Sequence, residues 1–238
     1  MMQSLNQQFT NPGDERNPSV IAGGLATGRF YPWRPGIVWR DGDRETRSPG
    51  RSAQFDRRLA IHEAAHATVS RLLGLSVSGS TIEFIDGHHG LTWASEAALQ
   101  PGAETVESIC AALTPLMPCI GEDRTDIAVE LERASCQVIA LLAGPLAETL
   151  FTAEPLPGTG HDLAEARSLA SLIVRSPRSI NSYLAYAQAE ARALLVDNRD
   201  VVLAISDALL KHRTIYAEQI DVIITAALLC QTLEASHG

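Results

Sequence analysis

The strongest constraint on this chain comes from five consecutive residues, His62-Glu63-Ala64-Ala65-His66. They match the H-E-x-x-H pattern, in which two histidines stand one helical turn apart. Residues i and i+4 lie on one face of an α-helix, so both imidazoles can reach a single metal ion. Glu63 then lies close enough to a bound water to take its proton. The pattern therefore predicts a zinc site on a helix, with His62 and His66 as ligands and Glu63 as the catalytic base.

The sequence around the motif favours a helix. No proline or glycine occurs between Phe55 and Leu73, and apolar or small residues recur there at helical spacing. Gly74 follows, at a place where a left-handed residue commonly ends a helix. For the motif alone an alternative remains, in which the two histidines are hydrogen-bonded core residues and Glu63 faces solvent. A distant third ligand would decide for the metal site.

Length and composition favour one compact domain with an additional N-terminal segment. The chain has 238 residues, of which 45% are hydrophobic, enough for one substantial core. Residues 1–50 are rich in Pro, Gly and Arg and are predicted to form a mostly irregular arm, whereas residues 51–238 are predicted to form the domain. The net charge of −9 is uneven: residues 1–58 carry nine Arg against six acids, and the remainder carries 10 basic residues against 22 acids. Such an acidic domain argues against a nucleic-acid partner.

The sequence also bears on location and redox state. It shows no signal peptide, and its longest apolar stretch, from Val138 to Ala147, is shorter than the roughly 18–20 residues that a bilayer requires. We therefore expect a cytoplasmic protein with no membrane partner. The cysteines form no C-x-x-C pair and are expected to be reduced, mostly buried thiols and poor zinc ligands. They are Cys110, Cys119, Cys136 and Cys230.

The remaining patterns predict a mainly α-helical domain with a small β-hairpin or sheet after the motif helix. Two short strands, Thr81–Ile85 and Leu91–Trp93, are expected around a turn. A long apolar segment is interrupted by Gly144 and Pro145, so it forms either one kinked helix or two abutting helices. The helical segments are expected at about Asp126–Phe151, Leu163–Ile173, Ser182–Val196, Asp200–Lys211 and Glu218–Leu233.

Four separated segments, in this order, resemble the peptidase domain of the FtsH family of zinc metalloproteases. They are HEAAH, the apolar helix ending LLAGPLAETLF, the Gly-rich loop into GTGHDLAEA, and the C-terminal stretch ARALLVDNRDVVLAISDALLKHRTIYAEQID. The resemblance covers roughly residues 55 to 225 and includes parts, such as VDNRD, that have no direct catalytic role. It implies a helical domain that uses zinc to hydrolyse peptide bonds in unfolded proteins or peptides.

The resemblance also implies a third zinc ligand, Asp162, because the family uses an Asp where the Gly-rich loop enters the helix. A carboxylate at the start of a helix after a flexible turn is well placed to reach a metal that another helix holds. Three protein ligands would leave the fourth position open for water. Asp is also a favourable N-cap residue, and the two roles of Asp162 do not exclude each other.

Other side chains compete for the place of third ligand. Glu148 can instead be a buried partner that orients a ligand histidine, or an acid on the helix surface. His161 is adjacent to Asp162, but neighbouring side chains on a helix diverge. His88 and His89 are expected at a polar hairpin tip, with substrate contact as the alternative.

Two departures from the family pattern are visible. The family's Gly before the second histidine is Ala65 here, an exchange that favours the helix by roughly 0.8 to 1 kcal/mol. The FtsH family joins this domain to membrane helices and an ATP-driven unfoldase, but no G-x-x-x-x-G-K-[ST] phosphate loop occurs in this sequence, whose only lysine is Lys211. We therefore expect proteolysis that is ATP-independent in itself, with a homo-oligomer or a separate ATPase as alternative partners.

The sequence thus leads to a zinc metalloendopeptidase that binds unfolded polypeptide. The exposed edge of the Thr81–Ile85 or the Leu91–Trp93 strand is expected to pair with an extended substrate. A second hypothesis is a catalytically silent binding or regulatory module with the same fold. A third is a bare helical scaffold without metal.

Overall fold

The computed structural model describes residues 51–85, 88–94, 106, 110, 114–119, 121–123, 125–152 and 160–235. The predicted arm at residues 1–50 and most of the Gly-rich loop, residues 153–159, lie outside the described residues. The described helices are α1 (Ala53–Leu72), α2 (Ala128–Phe151), α3 (Gly160–Ile173), α4 (Pro177–Asp197), α5 (Arg199–His212) and α6 (Ala217–Ala235). The strands are β1 (Gly79–Ile85), β2 (His88–Trp93) and β3 (Thr214–Tyr216), and short 3-10 helices occupy Thr114–Leu116 and Thr125–Ile127.

Helix α1, which carries the H-E-x-x-H residues, lies at the centre of the domain. It packs against α2, α5 and strands β1 and β2, while α2 also packs against α3 and α4. Ala60, Ala64 and Ala67 are fully buried on α1, and their small side chains let the neighbouring elements approach its axis closely. The prediction of a mainly α-helical domain with a small sheet is confirmed.

Both ends of α1 are fixed by local hydrogen bonds. At the start, the Ser52 hydroxyl accepts from the amide of Phe55 at 3.1 Å, which satisfies one of the free N–H groups of the first turn. At the end, Gly74 has φ of 75°, and the amide of Leu75 donates to the carbonyl of Ser70 at 2.8 Å. This pair of features forms a Schellman cap, so the helix stops where the sequence predicted.

The sheet is antiparallel, with strand order β2-β1-β3. Strand β3 was not predicted from the sequence. It pairs with the first half of β1, where Ser80 lies opposite Ile215 and Thr81 opposite Thr214. The expectation of a free edge on the first predicted strand is therefore wrong at Thr81, and β2 is an outer strand of the described sheet.

The hairpin is longer than predicted. His88 pairs with Ile85 and His89 with Phe84, so both histidines belong to strand β2 rather than to the turn. The register shifts between Thr81 and Phe84, because the two residues between them on β1 face Gly90 alone on β2. The extra residue of this bulge belongs to β1, and Gly90 is the single residue of β2 opposite it.

Helix α2 is continuous through Pro145, which settles the two alternatives in favour of one helix. It is long and apolar enough to cross a membrane by length and composition, but half of its most apolar window is buried within the domain. The fully buried Glu148 also belongs to this helix. Packing against α1, α3 and α4 therefore accounts for its apolar character.

A buried ion-pair network ties the start of α1 to the sheet and to the end of α5. Asp56 is 3% exposed and pairs with Arg51 at 2.6 Å and with Arg213 at 2.7 Å. Arg213, whose φ of 64° is unusual for a non-glycine residue, also pairs with Glu83 on β1 at 2.5 Å. These contacts hold strand β1 at a fixed height along α1.

The four cysteines are free thiols, in agreement with the reduced state expected. The expectation that they are mostly buried is wrong. Cys119 and Cys230 are exposed, and Cys110 and Cys136 are only partly covered.

Candidate metal and peptidase site

The structure brings together the three side chains that the sequence proposed as metal ligands. The Nε2 atoms of His62 and His66 lie 2.9 Å apart. The Oδ2 atom of Asp162, in the first turn of α3, lies 3.3 Å from Nε2 of His62 and 3.9 Å from Nε2 of His66. Their possible ligand atoms all lie within 4.8 Å of one another, so the group can hold one metal ion.

Helix α2 orients both imidazoles from behind. Nδ1 of His62 lies 2.5 Å from Oε1 of Glu148, and Nδ1 of His66 lies 2.8 Å from the backbone carbonyl of Ala140. A carbonyl and a carboxylate can only accept, so each Nδ1 carries a proton and Nε2 is the ring nitrogen left to bind a second proton or a metal ion. In the neutral rings both Nε2 lone pairs are available beside Asp162, which is the tautomer that metal coordination requires.

Gly144 lies on α2 between these two orienting contacts. A Cβ at this position would come within 2.4 Å of Nε2 of His66 and within 2.6 Å of Nε2 of His62. Real Cβ atoms do not approach other atoms so closely. The space on which the two lone pairs converge therefore exists because residue 144 has no side chain.

The other candidates for the third ligand lie in different surroundings. Asp162 is the third residue of α3, which begins at Gly160, so it lies inside the helix and is not the N-cap. The side chain of His161 is 61% exposed and pairs with Glu165 at 3.3 Å. His89 packs its ring against Phe84, at 5.0 Å between ring centroids. Glu148 contacts the far side of His62, as the alternative of an orienting partner proposed.

Glu63 is buried at 5% exposure, so the alternative in which it faces solvent is wrong. Its Oε2 atom accepts a hydrogen bond from the hydroxyl of Thr92 at 2.9 Å, across from strand β2. Its Oε1 atom faces Gly90, where a Cβ would come within 2.7 Å. The sequence analysis did not single out four positions that contact or approach these side chains: Gly90, Thr92, the Ala140 carbonyl and Gly144.

The electrostatics of the site follow from burial among these groups. Burial raises the pKa of the Glu63 carboxyl to about 7, against the opposing charge of His62 and the hydrogen bond from Thr92. Burial disfavours a charge on His62, but its contacts with Asp162 and Glu148 outweigh this and raise its pKa to about 10. A positive charge at Nε2 of His62 is therefore favoured.

The two remaining ligand candidates respond to the same charge. Burial and the charge on His62 lower the pKa of His66 to about 4. Burial alone would raise the pKa of Asp162, but the contact with His62 and the charge on His66 lower it below its usual value. Asp162 thus remains a carboxylate.

The donor set fits zinc. Two neutral imidazole nitrogens and one carboxylate oxygen form the three-ligand set of many catalytic zinc sites, which keep a fourth position for water or substrate. Both histidines have the second hydrogen bond that usually accompanies zinc ligation. The acidic surroundings formed by Asp162, Glu148 and Glu63 also suit a divalent cation.

Comparison with known proteins gives one informative match. No protein-family model matches the chain. The chain is similar to the "ATP-dependent zinc metalloprotease FtsH 4" of Sorangium cellulosum, at 26% identity over 220 residues. The match covers 76% of this chain but 30% of the relative, so the chain spans less than a third of that protein's length. It is thus distantly similar to a zinc metalloprotease, in agreement with the resemblance found in the sequence.

Proposed function

We propose that this chain is a zinc-dependent metalloendopeptidase that hydrolyses peptide bonds in unfolded proteins or peptides. The proposal rests on one observation: the possible ligand atoms of His62, His66 and Asp162 lie close together. The buried carboxylate of Glu63 belongs to the residue that directly follows His62 in the sequence. The distant similarity to a zinc metalloprotease supports the same conclusion.

His62, His66 and Asp162 would hold the ion. Zinc in such a site supplies a Lewis-acid charge that activates a water molecule and polarises a carbonyl group. Glu63 stands outside the ligand set and acts as the base: one of its carboxylate oxygens takes the proton from the water and passes it to the leaving amine. Burial raises the pKa of this carboxyl, which favours uptake of a proton by Glu63.

Strand β2 is the element that would align the substrate. It is an outer strand of the described sheet, and through Thr92 it contacts Glu63 directly. An extended peptide that pairs with its backbone would lie along the side of the sheet nearest to the base. Such pairing accepts many sequences but requires an unfolded segment, which sets the substrate class.

The sequence bears on energy supply and surroundings. A folded substrate resists local extension by several kcal/mol, and this chain has no phosphate loop with which to supply that energy. We therefore propose that its own cleavage is ATP-independent. We also propose that the protein works in the cytoplasm and binds neither nucleic acid nor a membrane. A homo-oligomer or a separate ATPase is the partner that would extend it to folded substrates.

Metal analysis combined with a cleavage assay tests this proposal. The purified protein should bind about one zinc per chain and digest casein at a rate that ATP does not change, while Glu63→Gln should keep the zinc and lose at least about 100-fold in rate. Glu190→Gln, on the exposed face of α4, is the matched control and should cleave normally. Zinc binding without any cleavage would instead support the silent binding module, and full activity in Glu63→Gln would refute the mechanism.

A further inference from the structure

A chain of hydroxyl groups links the sheet to the carboxylate of Glu63. Ser80 on β1 lies directly opposite Thr92 on β2, and their hydroxyl oxygens are 2.9 Å apart. The Thr92 hydroxyl lies 2.9 Å from Oε2 of Glu63 and 3.2 Å from the Glu63 backbone carbonyl. When Glu63 is ionised, its carboxylate oxygen and its backbone carbonyl oxygen can only accept, so Thr92 donates its one proton to Glu63 and Ser80 donates to Thr92. The direction of the chain is thereby fixed.

The two carboxylate oxygens of Glu63 have different surroundings. Oε2 is held by Thr92, whereas Oε1 faces Gly90, the residue of β2 that lies opposite the bulge of β1. A Cβ on residue 90 would lie 2.7 Å from Oε1 and 2.9 Å from Cδ1 of Leu59. Gly90 also has φ of 128°, a conformation that favours glycine. Strand β2 therefore holds one oxygen and leaves room at the other.

We propose that Thr92 is a positioning residue for Glu63, and that Ser80 in turn fixes Thr92. Because Oε2 is engaged, Oε1 is the atom that takes and returns the proton, and the carboxylate cannot turn about its last bond to present the wrong oxygen. Proton transfer depends on close alignment of donor and acceptor, so the loss of this hydrogen bond slows the reaction without weakening substrate binding. This inference rests on the proposed peptidase function and deepens it.

Thr81 provides a matched control for a hydroxyl with a purely structural role. It lies on the neighbouring strand β1, is fully buried, and its hydroxyl bonds to Thr214 at 2.7 Å and to the Arg213 carbonyl at 3.1 Å. It pairs with Leu91 in the same hairpin and has no hydrogen bond to Glu63. Removing the hydroxyl of Thr81 or of Thr92 disturbs the sheet, but only the loss of the Thr92 hydroxyl removes a hydrogen bond to Glu63.

The first test compares cleavage kinetics in zinc-loaded protein. Thr92→Val should lower kcat by about 10- to 100-fold, with KM within about twofold and zinc content unchanged. Thr92→Ser keeps the hydroxyl and should restore kcat to within about threefold, while Thr81→Val should keep kcat even if its unfolding temperature falls. Unchanged kcat in Thr92→Val, no rescue by Thr92→Ser, or an equal loss in Thr81→Val would each overturn the proposal.

A second test needs no turnover and so separates this inference from the proposed function. Acetohydroxamic acid binds zinc as the hydroxamate and gives up a proton, which a neighbouring carboxylate can accept and then hold by a hydrogen bond to the bound hydroxamate. Titration of zinc-loaded protein by calorimetry should show weaker binding for Thr92→Val and Glu63→Gln, and wild-type affinity for Thr81→Val. If the wild type cleaves no peptide, the peptidase proposal fails, but the titration still decides the role of Thr92. Wild-type affinity in Thr92→Val would refute it.

Discussion

Replacing Gly144 with alanine should weaken metal binding while leaving the fold intact. The new Cβ would lie 2.4 Å from Nε2 of His66 and 2.6 Å from Nε2 of His62. Relief to an acceptable contact of about 3.0 Å requires a displacement of about 0.6 Å at His66, whereas metal-ligand distances tolerate about 0.2 Å. We therefore expect zinc affinity to fall at least tenfold, which is about 1.4 kcal/mol.

The same change favours helix α2. Alanine is about 0.8 to 1 kcal/mol more favourable than glycine in the interior of a helix. The atoms that the new methyl group meets belong to two side chains rather than to backbone. The metal-free variant should therefore fold normally, and the loss of zinc cannot be ascribed to unfolding.

The measurement is zinc affinity by competition with a chromophoric chelator, together with thermal unfolding of the metal-free protein. Gly160→Ala is the control, because Gly160 is also helical and lies two residues from Asp162, yet a Cβ there would meet nothing within 4 Å. This control should bind zinc like the wild type. If Gly144→Ala binds zinc as tightly as the wild type, the converging lone pairs of His62 and His66 do not define the metal position.

The remaining predictions test the neighbours of the site. Asp162→Ala should lose zinc on dialysis while His161→Ala retains it, and equal retention by both would remove Asp162 from the ligand set. Glu148→Gln should weaken zinc binding about 10- to 100-fold, measured by chelator competition, because the charged partner of a ligand histidine is lost. Arg213→Ala should lower the free energy of unfolding by about 3 kcal/mol in urea titration, since it deprives the buried Asp56 of one of its two arginines. A change below about 1 kcal/mol would show that this network contributes little.

Local sequence signals predicted the elements whose cause is local. The stretch without Pro or Gly and the left-handed Gly74 defined α1, and the i,i+4 spacing then fixed His62 and His66 on one face. Strand β3 could not be found in this way. It spans three residues, too few for an alternating pattern, and it is a strand because it pairs with Gly79–Thr81 of β1, more than a hundred residues earlier in the chain.

The hairpin shows a different limit of sequence reasoning. Glycine and histidine between two apolar runs are typical of a turn, so the sequence predicts a turn over residues 86–90. Pairing nevertheless continues to Ile85 and His88, and Gly90 lies within the ladder, opposite the bulge of β1, with φ of 128°. A glycine in such a position and a turn glycine give the same sequence signal, because both supply a backbone conformation that other residues avoid.

The role of α2 joins these observations. Ala140, Gly144 and Glu148 are spaced i, i+4 and i+8, so they lie on one face of this helix. The Ala140 carbonyl accepts a hydrogen bond from Nδ1 of His66, and Glu148 accepts one from Nδ1 of His62. Gly144 lies between them and leaves space for both Nε2 atoms. The order of these contacts is reversed relative to the motif, so α2 runs antiparallel to α1 here, and two turns of α2 contact the two histidines that stand one turn apart on α1. A glycine inside an apolar helix, four residues from alanine and from glutamate, was the signal available in the sequence.

The contacts from α2 show why the H-E-x-x-H pattern alone is not a metal site. On α1 the two histidines share a face, but neither the proton on each ring nor the rotation of each ring is set by that helix. Glu148 and the Ala140 carbonyl set both, from a helix about 80 residues further along the chain. A buried carboxylate beside a buried imidazole is costly unless a nearby positive charge compensates it. Asp162 adds a second carboxylate, next to Nε2 of His62. Side chains on α1, α2 and α3 together therefore create the site that favours a cation. The two histidines of the motif supply only its nitrogen ligands.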